Sequence, residues 1–395
     1  MTEIHTSGAP ICDVDFYDDA NVENPVDAYH KMLALGPVVW LPKNNLHAIC
    51  GFEELTKSLR NHRVFQSGKG VSINEEINPF LIGSTLNSDP PRHDETRAIT
   101  FSPLTPRALK DVKDRIETEA QNLAETMTNA GEFDAASELA PYLPLTIVCD
   151  LVGLGEHGSN NMLEWGAATF ELMGDPRERR EAALGNLKKL RAFLEDSETL
   201  GAIKPDGWAN LATQGGIAHG LESDKAVELM RDYIAPSLDT TISAIGYAMM
   251  LFAKHPEQWQ KLRADRSLIA NAIEEVVRMN TPIKAFSRYI GEDIEVGGVQ
   301  LKAGTRALMV YGAANRDESK FPDPDRFDIE RKVRGHVGFG HGVHACLGMH
   351  LARLEITCLL NALADRIEQF ELSGPVVSSV NSSIHSLASV PVRVI

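Results

Sequence analysis

The sequence predicts a mainly α-helical fold with small β-sheets, which places it in the α+β class. Apolar residues recur with helical period from about residue 103 to residue 272. Short runs with strand character, bounded by turn-prone residues, precede and follow that region. No linker-like stretch divides the 395 residues, so residues 1–395 are predicted to form one domain.

Local patterns predict the first elements in order. Apolar residues 38–40 and 47–50 flank the turn-prone pair Asn44-Asn45 and predict a strand pair. Thr105-Pro106 predicts the start of a helix, because threonine is a common N-cap and proline is favoured at the next position. Helical spacing then continues over residues 109–127.

Breakers and turns mark the later elements. Asp175-Pro176 ends one helical pattern before a charged helix over residues 177–194, and a long helix is predicted over residues 224–254. Gly297-Gly298 favours a type I′ turn in a hairpin over residues 294–301. Strand character returns over residues 306–311 and over residues 390–395.

Charge and composition exclude several classes of function. The chain has 39 Lys and Arg against 55 Asp and Glu, a net charge of −16, which disfavours nucleic acid and anionic membrane as partners. The N-terminal MTEIHTSGAP lacks the basic and apolar regions of a secretory signal. The longest apolar run is shorter than the roughly 20 residues needed to span a bilayer. The prediction is therefore a soluble, cytoplasmic protein, and its five widely spaced cysteines argue against a disulfide framework.

The most informative segment is the Gly-rich loop FGHGVHACLG at residues 339–348. Helical character resumes directly after it, so Cys346 is expected near a helix N-terminus, where a thiolate is favoured. A thiolate in a glycine-lined slot suits the axial position of haem iron. A buried structural cysteine is the plain alternative. Zinc held by His341, His344, Cys346 and His350 is another by residue type.

This loop resembles the haem-binding loop of the cytochrome P450 family, whose Phe-Gly-x-Gly-x-His-x-Cys-x-Gly pattern it matches at every fixed position. Four further segments match in the expected order, from about residue 35 to the C-terminus. The resemblance implies the triangular cytochrome P450 fold with an N-terminal β-rich lobe and a larger helical lobe. It also implies haem b ligated by Cys346, with Phe339, Gly340 and Gly348 shaping the cofactor loop.

A second matching segment is Glu275-Val276-Val277-Arg278, whose i, i+3 spacing places a carboxylate and a guanidinium on one helix face. Alone, such a pair is common on protein surfaces. In the family, this Glu-x-x-Arg pair is completed by an arginine from a later loop. Residues 321–327, FPDPDRF, are similar to that loop, so Arg326 is the expected third member, with a structural role.

A third segment lies inside the predicted helix over residues 224–254. Pro236 removes a helical hydrogen bond, and polar residues in an apolar helix need partners, so a kink is predicted there. The resemblance makes this the helix across the distal face of the haem. Thr240 would then contact dioxygen, and Asp239 would gate protons. Pro236-Ser237 replaces the small residues that the family usually has before this pair.

The resemblance also implies a set of residues that neutralise the haem propionates. His93 and Arg97 are spaced i, i+4 and share one helix face. Arg288 follows the Glu-x-x-Arg helix by ten residues, and His344 precedes Cys346 by two. Guanidinium groups suit propionates because they bind carboxylates in a bidentate way.

Some positions resemble the bacterial branch of the family that oxidises para-substituted benzoic acids. The implied substrate-binding positions are apolar walls at Phe170, Met173, Ile283 and Phe286 and polar groups at Lys69, Ser72 and Arg231. The plain alternative is that the apolar positions are ordinary core and Lys69 is a solvated lysine. Asp232 beside Arg231 would repel an anion, so a methoxyphenol is the rival substrate.

The implied reaction is monooxygenation of a small aromatic substrate, by hydroxylation or O-demethylation. The sequence has no flavin or nicotinamide fingerprint, so the resemblance implies a separate ferredoxin and its reductase as electron donors. Basic residues predicted to gather on the face nearest Cys346 are Arg92, Arg107, Lys110, Lys113, Lys332 and Arg334. A peroxide-driven enzyme and a non-catalytic haem sensor are the alternatives from other classes.

Overall fold

A computed structural model describes residues 8–395 of the chain. Most of the N-terminal segment on which the prediction of no leader depends, residues 1–7, therefore lies outside the described residues. The prediction of a mainly helical fold with small sheets is confirmed. A single domain over residues 1–395 stays a prediction.

Eighteen α-helices are described within residues 8–395. In chain order they are α1 Asp19–Glu23, α2 Val26–Leu35, α3 Phe52–Arg60, α4 Asn78–Leu81, α5 Arg92–Phe101, α6 Lys110–Ala130, α7 Cys149–Val152, α8 Gly155–Met173, α9 Arg180–Glu195, α10 Ser197–Gly201, α11 Trp208–Ala218, α12 Ser223–Val227, α13 Arg231–Ile234, α14 Asp239–Lys254, α15 Pro256–Ala264, α16 Ile269–Met279, α17 Tyr311–Ala314 and α18 Met349–Arg366.

The strands form one five-stranded sheet and three smaller sheets. In chain order they are β1 Val38–Leu41, β2 Leu46–Ile49, β3 Phe65–Gln66, β4 Glu132–Asp134, β5 Phe286–Ile290, β6 Ile294–Val296, β7 Val299–Leu301, β8 Arg306–Met309, β9 Phe370–Leu372, β10 Val377–Ser379, β11 Ser386–Ser389 and β12 Pro391–Val394. The large sheet has the order β1-β2-β8-β5-β3, and the others pair β4-β12-β9, β6-β7 and β10-β11.

The two predicted hairpins are confirmed. In the first, β1 pairs with β2 in the register that sets Val38 opposite Ile49. In the second, β6 pairs with β7 across Gly297 and Gly298, whose φ values of 56° and 81° are those a type I′ turn requires. The predicted strand over residues 306–311 is β8, which is buried along its length between β2 and β5.

The predicted continuous helix over residues 224–254 is wrong. The chain forms α12, a 3₁₀ turn over Glu228–Met230 and α13, and it leaves helical geometry before α14 begins at Asp239. Pro236 explains the break, because proline lacks an N–H group and its ring excludes the carbonyl four residues earlier. The sequence predicts a kink at this point, but the structure has an interruption between Ile234, the last residue of α13, and Asp239, the first residue of α14.

The helix predicted to begin at Pro106, with Thr105 as its N-cap, begins four residues late. Lys110 is the first residue of α6. The Thr105 hydroxyl instead accepts a hydrogen bond from the Ala108 N–H at 3.3 Å, which closes a local turn before the helix.

One segment in the described part of the chain, Ala135–Val152, is long and apolar enough to cross a membrane, with a mean hydropathy of 1.3. Of its residues, 56% are buried inside the fold. It includes the π-helical turns Ala135–Leu139 and Pro144–Val148. Its composition therefore fits a core segment as well as a membrane span.

The apolar core fixes the positions of the two elements that border the candidate site, namely the Gly-rich loop and α14. One large cluster of buried residues joins α6, α8, α14, α16 and α18, and a smaller cluster lies beneath the N-terminal sheet. The Gly-rich loop of residues 339–348 leads directly into α18, which packs along α6. The cavity that carries the candidate chemistry lies between this loop and α14.

Candidate active site

The loop around Cys346 is closed by backbone hydrogen bonds. The Cys346 N–H donates to the Phe339 carbonyl at 2.7 Å, and the Gly340 N–H donates to the Val337 carbonyl at 2.9 Å. Gly342 has a φ of 70°, and a Cβ there would lie 2.5 Å from the Leu59 carbonyl oxygen. Glycine is therefore required where this loop passes the end of α3.

Cys346 is only partly exposed, and the groups around its thiol partly favour the charged form. Burial raises its pKa, whereas the N–H groups of Gly348 and Met349 and the guanidinium groups of Arg97 and Arg353 lower it. The net shift is upward, so this thiol is a poor free nucleophile. Coordination to a metal ion deprotonates such a thiol, and the site suits a metal ligand better than a reactive cysteine.

The zinc alternative fails within residues 8–395. No group of three or more His, Cys, Asp or Glu side chains there is arranged to hold a metal ion. The described cysteines other than Cys346 are all buried and unpaired, namely Cys12, Cys50, Cys149 and Cys358. Cys346 is thus the cysteine that borders the cavity.

The cavity is large and mostly apolar. It contains about 1450 Å³ of space between protein atoms, including its open mouth. The loop side is lined by Phe339, Gly340, Cys346 and Gly348, and Thr240 lies in the opposite wall.

Donor groups without partners gather at one edge of this cavity. His344 lines it, and the His93 ring packs edge-on against His344 with 4.5 Å between ring centroids. The Nε2 atoms of both rings are buried and have no hydrogen-bond partner among the described residues. Burial and the charge of Arg288 lower the pKa of His344 to about 2, so its ring is neutral.

Two arginines complete this edge. Arg97 lines the cavity and donates to the Ala345 carbonyl at 2.7 Å, and Arg288 lines it and donates to the Ser287 carbonyl at 2.9 Å. Each guanidinium keeps further N–H donors. The His93 Nδ1 contacts Asp94 Oδ1 at 2.9 Å, so only its Nε2 is available. The two unpartnered Nε2 atoms and the two arginines fit a pair of carboxylates, as the haem propionates would supply. The residues present therefore fit haem.

His62 interacts electrostatically with His344, and the sequence did not identify it as a site residue. Its Nδ1 is buried without a partner in the described structure, and its charge would lower the pKa of His344. It lies directly after α3, outside every segment that matched the family pattern. Only the packing of α3 against the Cys346 loop brings it there.

The predicted proton-delivery pair lies at the start of α14. The Thr240 hydroxyl donates to the Pro236 carbonyl at 3.0 Å, and Thr240 lines the cavity. The Asp239 carboxyl is directed instead towards α8, since a Cβ on Gly166 would lie 3.0 Å from its Oδ2. That oxygen is buried and lacks a partner within residues 8–395. Burial raises the pKa of Asp239 to about 7, so it exchanges a proton readily at neutral pH.

A second buried acid was not singled out by the sequence. Glu355 on α18 lines the cavity, and both of its carboxyl oxygens are buried with no partner in the described part of the chain. Burial raises its pKa to about 8, so this carboxyl is largely neutral at pH 7.

The predicted apolar walls are only partly right. Three of the four predicted residues line the cavity: Phe170 on α8, Ile283 in the segment before β5, and Phe286 at the start of β5. The rings of Phe170 and Phe286 are nearly parallel, with an interplanar angle of 10° and 6.3 Å between centroids. Met173 is buried but does not border the cavity, so its placement was wrong. It is the last residue of α8, one turn beyond Phe170.

The polar residues predicted to bind a substrate carboxylate do not line the cavity in the described structure. None of Lys69, Ser72 and Arg231 is among the described residues that line the cavity. Lys69 is exposed, and the Ser72 hydroxyl donates to the Leu172 carbonyl at 2.8 Å. Arg231 is 4% exposed and pairs with Glu228 at 2.8 Å. Asp232, the next residue on α13, lines the cavity instead.

The Glu-x-x-Arg pair is buried and forms two hydrogen bonds. Arg278 donates to the two carboxylate oxygens of Glu275 at 2.7 and 2.9 Å. The prediction that Arg326 completes this pair is wrong. Arg326 is 64% exposed and contacts Asp323 and Asp328. The chain turns after Arg326, and Arg331 returns beneath the loop to reach Glu275 at 2.9 Å.

Because Arg331 and not Arg326 contacts Glu275, replacing each of these two arginines should affect stability differently. Arg331→Leu is expected to lower the free energy of unfolding by about 1.5–3 kcal/mol, the usual cost of a lost charged hydrogen bond, because Arg278 still pairs with Glu275. Arg326→Leu is the matched control and is expected to change it by less than about 1 kcal/mol, as for exposed ion pairs. Urea unfolding of both holoproteins measures the difference. Equal losses would refute the assignment.

Comparison with known proteins agrees with this geometry. The family model for cytochrome P450 matches residues 209–391. The chain is 32% identical over 393 residues to cytochrome P450 CYP199A2 of Rhodopseudomonas palustris, covering 98% of this chain and 95% of that protein. It is 29% identical to a steroid C26-monooxygenase of Rhodococcus jostii, covering 91% of this chain and 80% of that protein.

Solved structures match along almost the whole chain. The crystal structure of CYP109B1 from Bacillus subtilis aligns with a TM-score of 0.80 and 26% identity, covering 94% of this chain and all of that one. Members of this family bind haem b through a cysteine thiolate and incorporate oxygen from dioxygen. The unpartnered donors and the Cys346 loop are the features through which this chain meets that requirement. The chain belongs to the cytochrome P450 family and is a haem-thiolate monooxygenase.

Proposed function

We propose that this monooxygenase inserts oxygen into a small aromatic substrate by hydroxylation or O-demethylation. The observation that carries the proposal is the parallel pair of Phe170 and Phe286 in an apolar cavity that also contains Cys346 and Thr240. Aromatic side chains in an apolar wall offer a face or an edge against which a flat ring can pack. When bound, haem supplies the activation of dioxygen, and thiolate donation favours O–O cleavage. The role of the protein is to orient the ring, exclude water and deliver protons.

Two substrate classes fit this reaction. The resemblance to the benzoate-oxidising branch supports a para-substituted alkoxybenzoate. Against it, Lys69, Ser72 and Arg231, the polar groups expected to bind the carboxylate, are not among the described residues that line the cavity. Arg97 and Arg288 also line the cavity, but they are the residues that suit the haem propionates. The geometry therefore favours the neutral alternative, a methoxyphenol or a similar small aromatic.

Ligand titrations of the purified holoprotein test the proposed function. We expect 4-methoxyphenol to shift the haem spin state and to yield formaldehyde in turnover with a ferredoxin system. The alkoxybenzoate is the comparison ligand, and steroids of much larger volume are the negative controls. If no small aromatic shifts the spin state or yields product, the proposed substrate class is wrong.

We propose a separate ferredoxin and reductase as the electron source, and a cytoplasmic location. The acid–alcohol pair of Asp239 and Thr240 supports dioxygen use over a peroxide-driven reaction, because delivery of protons matters when dioxygen is the oxidant. Product formation with ferredoxin and reductase, compared with peroxide alone, separates the two. A sensor would bind haem and yield no product under either condition.

The electron donor gives a salt-dependence prediction. Five of the six basic residues proposed for the docking face are exposed, and Arg92 is half-buried. The helix α6, which carries Lys110 and Lys113, packs against the helix that follows Cys346. An acidic ferredoxin would be steered to such a face, so its rate of electron transfer is expected to fall as salt rises. Reduction by a small neutral mediator is the control and should change little. A ferredoxin-driven rate that stays flat across ionic strength would contradict this docking face.

A further inference from the structure

We infer that Asp232, held by Thr85, is the group that recognises the substrate, by accepting a hydrogen bond from a phenolic hydroxyl. This inference rests on the proposed function and names the substrate class within it. The recognition selects small aromatic compounds with a neutral donor and disfavours those with a carboxylate.

Asp232 is a fixed carboxylate in the cavity wall. It lies on α13, is 8% exposed and lines the cavity together with Thr85. Its Oδ1 accepts the Thr85 N–H at 2.9 Å, and its Oδ2 accepts the Thr85 hydroxyl at 2.5 Å and the same N–H at 3.1 Å. An ionised carboxylate offers about four acceptor sites, so the two Thr85 donors leave capacity for a ligand.

The nearby polar groups do not use that remaining capacity. The Arg231 guanidinium donates to Glu228, and the Tyr233 hydroxyl donates to the Thr100 carbonyl at 2.7 Å. Arg97 donates to the Ala345 carbonyl, beside the residues that suit the propionates. The cavity that Asp232 borders is lined mainly by apolar residues, among them Leu86, Leu104, Phe170 and Trp208.

A carboxylate in such a wall is costly unless a ligand completes its hydrogen bonds. Burial raises the pKa of Asp232 to about 6, while Thr85, Arg231 and Arg97 oppose the rise. Asp232 is thus mostly ionised at pH 7. A phenol has a pKa near 10 and stays a neutral donor, whereas a benzoate would add a second negative charge to the cavity.

Three ligands of similar shape test the inference on the holoprotein. They are 4-methoxyphenol, 4-methoxytoluene, which lacks the donor, and 4-methoxybenzoate, and their dissociation constants are measured by calorimetry and by the spin-state shift. The unmodified protein should bind the phenol about 10- to 150-fold more tightly than the toluene, the range for a hydrogen bond to a charged group. The benzoate should bind more weakly than the phenol.

Two variants assign the preference to Asp232. Asp232→Asn keeps an acceptor without charge and should reduce the preference for phenol over toluene by about tenfold, and Asp232→Leu should abolish it. In both variants, benzoate should bind more tightly than in the unmodified protein. Asp224→Asn, which removes an exposed carboxylate on α12, is the matched control and should leave all three constants unchanged.

The outcomes separate this inference from the proposed function. Equal binding of phenol and toluene by the unmodified protein, or tighter binding of benzoate, would overturn the role of Asp232 even if a variant fails to fold. If small aromatics bind and react but the preference survives in Asp232→Leu, the proposed function stands and this inference fails. If none of the three ligands binds, the proposed function itself fails.

Discussion

Replacing Cys346 with serine is expected to abolish the red-shifted Soret band of the reduced carbon monoxide adduct. That band reports a thiolate opposite the bound gas, and a serine hydroxyl is a far weaker acid and a poorer donor to iron. In the described part of the chain, Cys346 is the cysteine that borders the cavity. Monooxygenase activity should fall below detection in the same variant, because thiolate donation favours O–O cleavage.

Cys358→Ala is the matched control for this change. Cys358 is a buried thiol on α18, the helix that follows the loop, and it does not line the cavity. Its variant should keep both the band and the haem content. An unchanged band in Cys346→Ser would show that another residue holds the iron. Haem content measured by pyridine hemochrome separates loss of the thiolate signal from loss of the cofactor.

Asp239→Asn is expected to slow turnover by about 10²-fold or more, the usual scale for losing a general acid. The buried position of the Asp239 carboxyl is the reason for this expectation. Its Oδ2 is buried against α8 without a partner in the described structure, and burial raises the pKa of Asp239 to about 7. An asparagine fills the same space but has no proton to give. Stopped-flow turnover with saturating reduced ferredoxin measures the change, and Asp224→Asn is the exposed control.

The pH profile distinguishes proton delivery from a packing effect. Asp239 holds its proton below about pH 7 and loses it above, so turnover limited by this acid should decline as the pH rises through that value. The Asn variant should lose that limb. A profile that keeps the limb unchanged in Asp239→Asn would assign it to another group.

Thr240→Ala provides an independent readout of the same machinery. The Thr240 hydroxyl, anchored on the Pro236 carbonyl at 3.0 Å, is the polar group of α14 at the cavity next to Asp239. Its loss should leave substrate binding nearly intact and divert electrons to peroxide or water. The ratio of product formed to electrons consumed measures this effect. Full coupling in Thr240→Ala would contradict a role in proton delivery.

The sequence by itself determined the features that depend on neighbours along the chain. The cofactor loop is local, because its glycines, its cysteine and the following helix lie within a few residues of one another. The hairpin at Gly297-Gly298 follows from the positive φ that both residues tolerate. The buried bond between Glu275 and Arg278 follows from a spacing of three residues on one helix. Such contacts survive any arrangement of the remaining chain.

Other contacts depended on how distant segments fold back, and there the sequence reasoning failed. Arg326 lies in the segment that resembles the family loop, yet a turn exposes it and brings Arg331 to Glu275. His62 reaches the propionate edge only because α3 packs on the cofactor loop.

The residues of the cavity wall near α13 were also predicted incorrectly from the sequence. Helical spacing relates Arg231 and Asp232 to Thr240 only along an unbroken helix, and the chain leaves helical geometry between α13 and α14. Arg231 pairs with Glu228 three residues earlier, and Asp232 enters the cavity wall. Periodicity carries information only as far as regular backbone geometry persists. Beyond that point, packing between distant elements decided which charge the substrate meets.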